Sequence, residues 1–409
     1  MSPFPHFWTR VVIFVDDPFP PPALLSSHLE WSRDKLIELT VTRRNPDAFV
    51  HDPQGERQRM KEIMGIIRPH IPRCETLSIN VIHTSSLPRI LTDFPDPAPD
   101  LMKLSLEVSA PGPFRGLLDN LSIVPEFQFP LLEELRIDGW NFVDFYRNAN
   151  WWTEKLSESG YFFFLSVSHY RPTEGVHGEG PFEILSAYPL FQSISILALD
   201  DLAYSSPGKI AGDVVVDFIE DAIELETLRL SNLSKSLVAG LLLRSSFLAA
   251  DFLTIDHCPL DVSTLNHDGG GFFEEVHLRN IDYPDTSQAL QNMLKFWDGS
   301  KLTLENCPGF DDDILDRLGE RHNYPPVVQL FASELHHLVL INCAGFSINA
   351  LKRMVEARTA FFEEHDPDQT MLVTMLDGPE MVPDQRKWFI DTFGEKHLKR
   401  WDGVDGYRL

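Results

Sequence analysis

The chain is short of cysteine, short of cations relative to its acids, and has no long apolar run. Only Cys74, Cys258, Cys307 and Cys343 stand among its 409 residues. They are too sparse for a disulfide framework, and no two form the Cys-x-x-Cys pair of a zinc site. A reducing compartment, cytoplasm or nucleus, is therefore expected. Lys and Arg number 35 against 61 Asp and Glu, giving a net charge of −26. Residues 101–300 hold 12 of those cations and 29 of those acids, so −17 of the −26 lies there. A surface of this sign repels phosphate backbones and anionic lipid, and neither nucleic acid nor membrane is expected as a partner. The longest apolar stretch, "LVAGLLLRSSFLAADFL", is broken by Arg244 and Asp251, so it is not a bilayer span. The opening "MSPFPHFWTR" has no apolar signal core.

Catalytic motifs are missing as well. There is no Gly-x-Ser-x-Gly elbow and no His-Glu-x-x-His pair. "NHDGGGF" (Asn266–Phe272) lacks both the Gly-x-Gly-x-x-Gly spacing and the phosphate-loop lysine, and reads as a loop. Asp311, Asp312 and Asp313 read as a solvated helix start rather than a cation site. His336 and His337, near Glu334, are adjacent on an expected strand, point to opposite faces and cannot easily share a metal. The aromatic stretches "WWTEKL" (Trp151–Leu156) and "FFFL" (Phe162–Leu165) read as packing rather than an exposed patch. No catalytic residue, metal or cofactor is expected.

What is present is a repeat. "LTLENCPGFDDDILDRL" (Leu302–Leu318) and "LVLINCAGFSINAL" (Leu338–Leu351) share two alternating leucines, Asn-Cys, Gly-Phe and a helix-like sequel. The same skeleton can be laid along the chain at Leu39/Val41, Leu77/Ile79/Ile82, Leu104/Leu106, Leu135/Ile137/Trp140, Leu165/Val167/Tyr170 and Ile194/Ile196/Leu199. It continues at Leu228/Leu230/Leu233, Leu253/Ile255/Cys258 and Val276/Leu278/Ile281, and first anchors lie 23 to 38 residues apart. That period signals stacked supersecondary units. Alternating anchors make a short strand with one face inward; the polar segment after it starts a helix. Cys258, Cys307 and Cys343 then act as small buried apolar groups, not nucleophiles or ligands. The fold expected is an α/β leucine-rich-repeat solenoid: a curved horseshoe with parallel strands on the concave face and helices outside.

"LTLENCPGFDDDILDRL" resembles the cysteine-containing type of leucine-rich repeat. "FPHFWTRVVIFVDD" (Phe4–Asp17) and "HLEWSRDKLIELTV" (His28–Val41) resemble the segment after an F-box in fungal F-box/leucine-rich-repeat proteins, and "MLDGPEMVPDQRKWF" (Met375–Phe389) resembles their closing turn and helix. The resemblance implies a ubiquitin-ligase adaptor, in which an F-box docks the ligase core and the repeats hold the substrate. The F-box has no counterpart ahead of Phe4 in the sequence. Ligase coupling is thus expected only if an F-box lies upstream on the gene product, and a stand-alone scaffold otherwise. A hydrolase or metal enzyme is the distant alternative.

The expected organisation is an amino-terminal segment with a capping strand, "RVVIFV", over 1–30, the solenoid over 31–375, and a capping helix and tail over 376–409. The concave face would present the positions between and beside the anchors: Glu134, Arg136 and Asp138; Arg229; Asp256; His277 and Arg279; Glu305; and His337. The partner expected there is a basic or neutral protein, with the chain itself a monomer.

Overall fold

Alternating Leu-x-Leu segments form strands because the pleat sends successive side chains to opposite faces. The computed structural model describes residues 4–16, 18, 20–45, 47–94, 97–110, 129–148, 163–171, 194–203, 223–243, 248–260, 273–283, 286–324, 327–365 and 369–399. The chain divides into two compact units between the strands Ile196–Leu202 and Ile223–Ser231.

In the first unit the strands are β1 (Arg10–Phe14), β2 (Ile37–Thr42), β3 (Cys74–His83), β4 (Lys103–Ala110), β5 (Glu134–Asp138), β6 (Phe164–Tyr170) and β7 (Ile196–Leu202). Each pairs in parallel with the next in chain order. Helices α1 (Pro22–Trp31), α2 (Pro53–Ile67), α3 (Ile90–Asp93) and α4 (Gly139–Asn148) lie between them. Trp8 packs on His28 and Trp31 with ring centroids at 4.8 and 4.6 Å, holding the opening turn against α1.

The second unit repeats the plan with β8 (Ile223–Ser231), β9 (Leu248–Asp256), β10 (Glu275–Arg279), β11 (Lys301–Glu305), β14 (His337–Ile341), β15 (Leu372–Leu376) and β16 (Leu398–Lys399). These too pair in parallel in chain order. Between β11 and β14 a separate antiparallel hairpin intervenes, β12 (Arg321–Tyr324) with β13 (Val327–Leu330). The returns are α5 (Lys235–Leu243), α6 (Thr286–Phe296), α7 (Asp312–Leu318), α8 (Ile348–His365) and α9 (Pro383–Phe393). Both units are therefore α/β repeat stacks of open parallel sheet, the solenoid architecture expected from the pattern.

The anchors are buried from Leu39 and Val41 to Leu338 and Leu340, with Ile196 the exception. One copy is phased differently. Leu165 and Val167 face Leu197 and Leu199, not Ile194 and Ile196. Apolar residues three positions apart on both sides of a strand make either phase plausible locally; pairing to the neighbouring strand decides it.

A left-handed residue ends each repeat strand of the second unit from β8 to β15, the hairpin aside. Asn232, His257, Asn280, Asn306, Asn342 and Asp377 follow β8, β9, β10, β11, β14 and β15 with φ between +49° and +53°. Asn and Asp tolerate this conformation better than other side chains. The turn aims the backbone N–H sideways: those of Asn280, Asn306 and Asn342 donate to the Glu305, Ile341 and Leu376 carbonyls of the next strand at 2.8–2.9 Å. The side chains form a second ladder. Asn342 Nδ2 donates to Asn306 Oδ1 (2.7 Å), Asn306 Nδ2 to Asn280 Oδ1 (2.8 Å), and Asn280 Nδ2 to Asp256 Oδ1 (2.8 Å).

The cysteine beside this residue turns inward. The Sγ atoms of Cys258, Cys307 and Cys343 lie 3.7, 3.5 and 3.5 Å from the carbonyl oxygens of Leu230, Leu278 and Leu304, each in the preceding repeat strand. The Gly-Phe that follows is explained by contact. Phe310 and Phe346 meet edge to face at 5.7 Å. A Cβ on Gly345 would fall 2.4 Å from the Pro308 carbonyl oxygen, so nothing larger fits.

Arg358 on α8 is fully buried. It donates to five backbone carbonyls, those of Leu318, Phe331, Ala332, Ser333 and Leu335. Burial lowers its pKa to about 9, against the opposing pull of Glu334. Leu318 ends α7, and Phe331, Ala332, Ser333 and Leu335 follow the hairpin outside any strand ladder.

Replacing Asn306 separates the two roles of the corner. Asn306→Ala loses both amide rungs and strains a left-handed position, costing about 2–3 kcal/mol in chemical denaturation. Asn306→Gly loses the rungs but keeps the turn, and is expected about 1 kcal/mol more stable than the Ala variant. Equal midpoints for the two would refute the conformational requirement.

Candidate functional site

The positions opposite the anchors carry the side chains that a ligand could meet. Strand register sets their neighbours. In the first unit Glu134 sits between Lys103 and Phe164, and Arg136 between Ser105 and Ser166. Glu134 pairs with Lys103 at 3.1 Å and with Arg136 at 2.8 Å, while the Arg136 guanidinium lies 4.9 Å from the centre of the Phe164 ring. Burial works against the Glu134 carboxylate, but its bonds to Arg136 and Lys103 outweigh it and hold the pKa below the usual value.

Asp138 is a correction. It was expected on the open face, and it is fully buried. Its Oδ1 accepts the N–H groups of Trp140 (2.8 Å) and Asn141 (2.9 Å), and its Oδ2 accepts from the Asn141 side chain (3.2 Å). Here the helix starts directly at the strand end, so the side chain next to the second anchor becomes the cap of α4.

In the second unit Asp256, Arg279 and Glu305 stand abreast, and His277 lies two residues before Arg279 on the same face. Arg279 Nη1 is 4.0 Å from Asp256 Oδ2, and its Nε is 2.9 Å from Glu305 Oε2 in a contact not aligned as a hydrogen bond. His277 Nε2 is 3.3 Å from the same Glu305 oxygen, and Lys301 pairs with Glu275 at 2.9 Å. Most of the expected binding charges thus neutralise one another across strands. They remain partly open to water, which screens them, so each pair is worth about 1 kcal/mol.

Arg229 and His337 differ. Arg229 is exposed and makes no ion pair among the described residues. Two residues before it, Thr227 pairs with Phe252, an exposed aromatic on this face. His337 stands beyond Lys301 in the row and leads to Thr374: its Nε2 is 3.5 Å from Thr374 Oγ1, which lies 3.0 Å from His397 Nδ1. Thr374 and His397 were not anticipated, because β15 carries "LVTML" without the Asn-Cys signature. Thr303 and Val339, on the same face, are buried short side chains.

The remaining sequence candidates have structural roles. Asp311 caps α7 by accepting Ile314 N–H at 3.1 Å, and Asp312 accepts the Ser347 hydroxyl at 2.8 Å in the next repeat. His336 Nδ1 lies 3.2 Å from the Glu334 carbonyl. Among the described residues no group of three or more His, Cys, Asp or Glu could hold a metal ion, and no helix is long and apolar enough to cross a membrane. The stretches Trp151–Leu156 and Asn266–Phe272 lie outside the described residues.

All four cysteines are buried and free. Burial raises the Cys74 thiol to about 12, and Cys307 is raised by its hydrogen bond with Cys343 and by burial. A thiol-reactive dye should therefore label the chain only after denaturant unfolds it. The imidazoles set an acid limit. Burial first, with Arg279 for His277 and Lys301 for His337, lowers both pKa values from 6.5. Below pH 6.5 the unfolded chain binds more protons than the folded one, so stability falls as pH drops through that window. A His277→Asn/His337→Asn variant should lose less stability on acidification, read as a flatter dependence of the denaturation midpoint on pH. No family model matches the chain, and no curated protein matches it.

Proposed function

We propose that the chain is a non-catalytic protein-binding repeat domain whose second-unit strand face takes a protein partner. The observation that carries this reading is the exposed pair Arg229 and Phe252 on a rigid strand lattice, beside neighbours whose charges are already matched. Arg and aromatic side chains held on a fixed backbone lose little entropy on binding and dominate the energetics of protein interfaces. The net charge of −26 favours a basic or neutral partner. The likeness of Phe4–Asp17, His28–Val41 and Met375–Phe389 to fungal F-box/leucine-rich-repeat proteins supports placing this domain as the substrate-recognition part of a ubiquitin-ligase adaptor.

The test is an affinity capture from cell extract with the wild-type chain and with Arg229→Glu/Phe252→Ser. Proteins that bind this face should be retained by the first and reduced about tenfold or more with the second. Arg279 is left alone, because reversing it would set three carboxylates abreast. Retention of the same proteins by both chains would remove this face from the proposal. Capture of a cullin-ligase adaptor by the full gene product separates an adaptor from a stand-alone scaffold.

A further inference from the structure

In the first unit, α2 and the segment Ser85–Asp93 enclose a groove of about 780 Å³. Its lining runs against the charge of the protein as a whole. Arg57, Lys61 and Arg68 lie along it, exposed and without a side-chain partner among the described residues. Arg89 faces them, its guanidinium 3.9 Å from Asp144. The acids nearby are engaged. Asp93, the one acid in the lining among the described residues, accepts the Arg89 N–H at 2.7 Å. Glu56 is buried and accepts the N–H groups of Ile82 (2.7 Å) and His83 (3.0 Å), and Glu62 accepts from Gln58 at 3.1 Å. Met60, Met64, Leu87 and Pro88 supply apolar lining. Ser86, also in the wall, is buried, and its hydroxyl has no hydrogen-bond partner among the described residues.

We propose that this groove docks an extended acidic peptide segment of a partner protein, at a surface separate from the strand face. The spacing selects an extended peptide over a single phosphate. Arg57 to Arg68 spans eleven helical residues, about 16 Å. That length matches roughly five residues of extended chain, whose carboxylates meet the cations in turn while alternate apolar side chains reach the methionines. A single anion would need the cations to converge on one point. This surface does not depend on the strand-face reading above.

The probe is a fluorescein-labelled eight-residue peptide of alternating Glu and Leu, titrated with the full chain and followed by anisotropy. Saturable binding that weakens with salt is expected. Arg57→Glu/Lys61→Glu/Arg68→Glu should weaken it about tenfold or more, while Arg229→Glu/Phe252→Ser leaves it unchanged. The three substitutions are exposed, so an unaltered circular-dichroism melt confirms the fold. Absence of saturable peptide binding at millimolar chain, equal binding by the triple variant, or retention on phosphatidylserine vesicles in preference to the peptide would each overturn the proposal.

Discussion

The second unit depends on one turn of backbone. Each repeat strand must stop, and the next residue must swing into the left-handed region so that its N–H points along the stack. In that conformation the amide pairs with the neighbouring repeat instead of with solvent, and the following side chain is driven into the core. The consequences are Cys258, Cys307 and Cys343 under the preceding strand, and Asn280, Asn306 and Asn342 joined in a row of amides. Cysteine suits the inner place because it is small, apolar and able to offer a weak S–H bond to a carbonyl that would otherwise lose contact. The first unit uses the same left-handed step at His169 and Asp201, near the ends of β6 and β7.

Because the corner consumes the backbone, the face of the strands is left to side chains alone. Most of the charges there find partners one strand away, as Lys301 does with Glu275 and Lys103 with Glu134. Cross-strand pairing offsets like-charge repulsion locally, and it leaves Arg229, which has no ion pair among the described residues, and the exposed Phe252 as the features that stand out. Where the regular plan breaks, buried polar groups do the joining. Arg358 gathers five carbonyls around the hairpin, and Glu56 holds two backbone amides at the end of β3.

Legibility followed physical range. The alternation of β8 to β11 and β14 was readable because each strand buries its own anchors, a property of a few consecutive residues. The copy around Leu197 was not, since Ile194, Ile196, Leu197 and Leu199 offer two equally apolar phases and only pairing with β6 separates them. Asp138 looked like its counterparts Asp256 and Glu305, but Gly139 begins a helix at once and turns the same strand position into a cap. The basic face of α2 was in plain sight at Arg57, Lys61 and Arg68. What could not be read was that Ser85–Asp93, beyond β3, would close a groove over it.

The sequence by itself determined that the chain stacks: its apolar period, its asparagine–cysteine corners and its lack of disulfide, catalytic and membrane-spanning patterns are local facts, written within a single repeat. Tertiary structure alone decided which charges remain open. Whether Arg279 or Arg229 is available depends on the carboxylates that parallel pairing brings abreast, and those come from residues 23 to 26 positions away in the chain. Electrostatic neutralisation is a property of neighbours in space, and no single repeat contains its own neighbours.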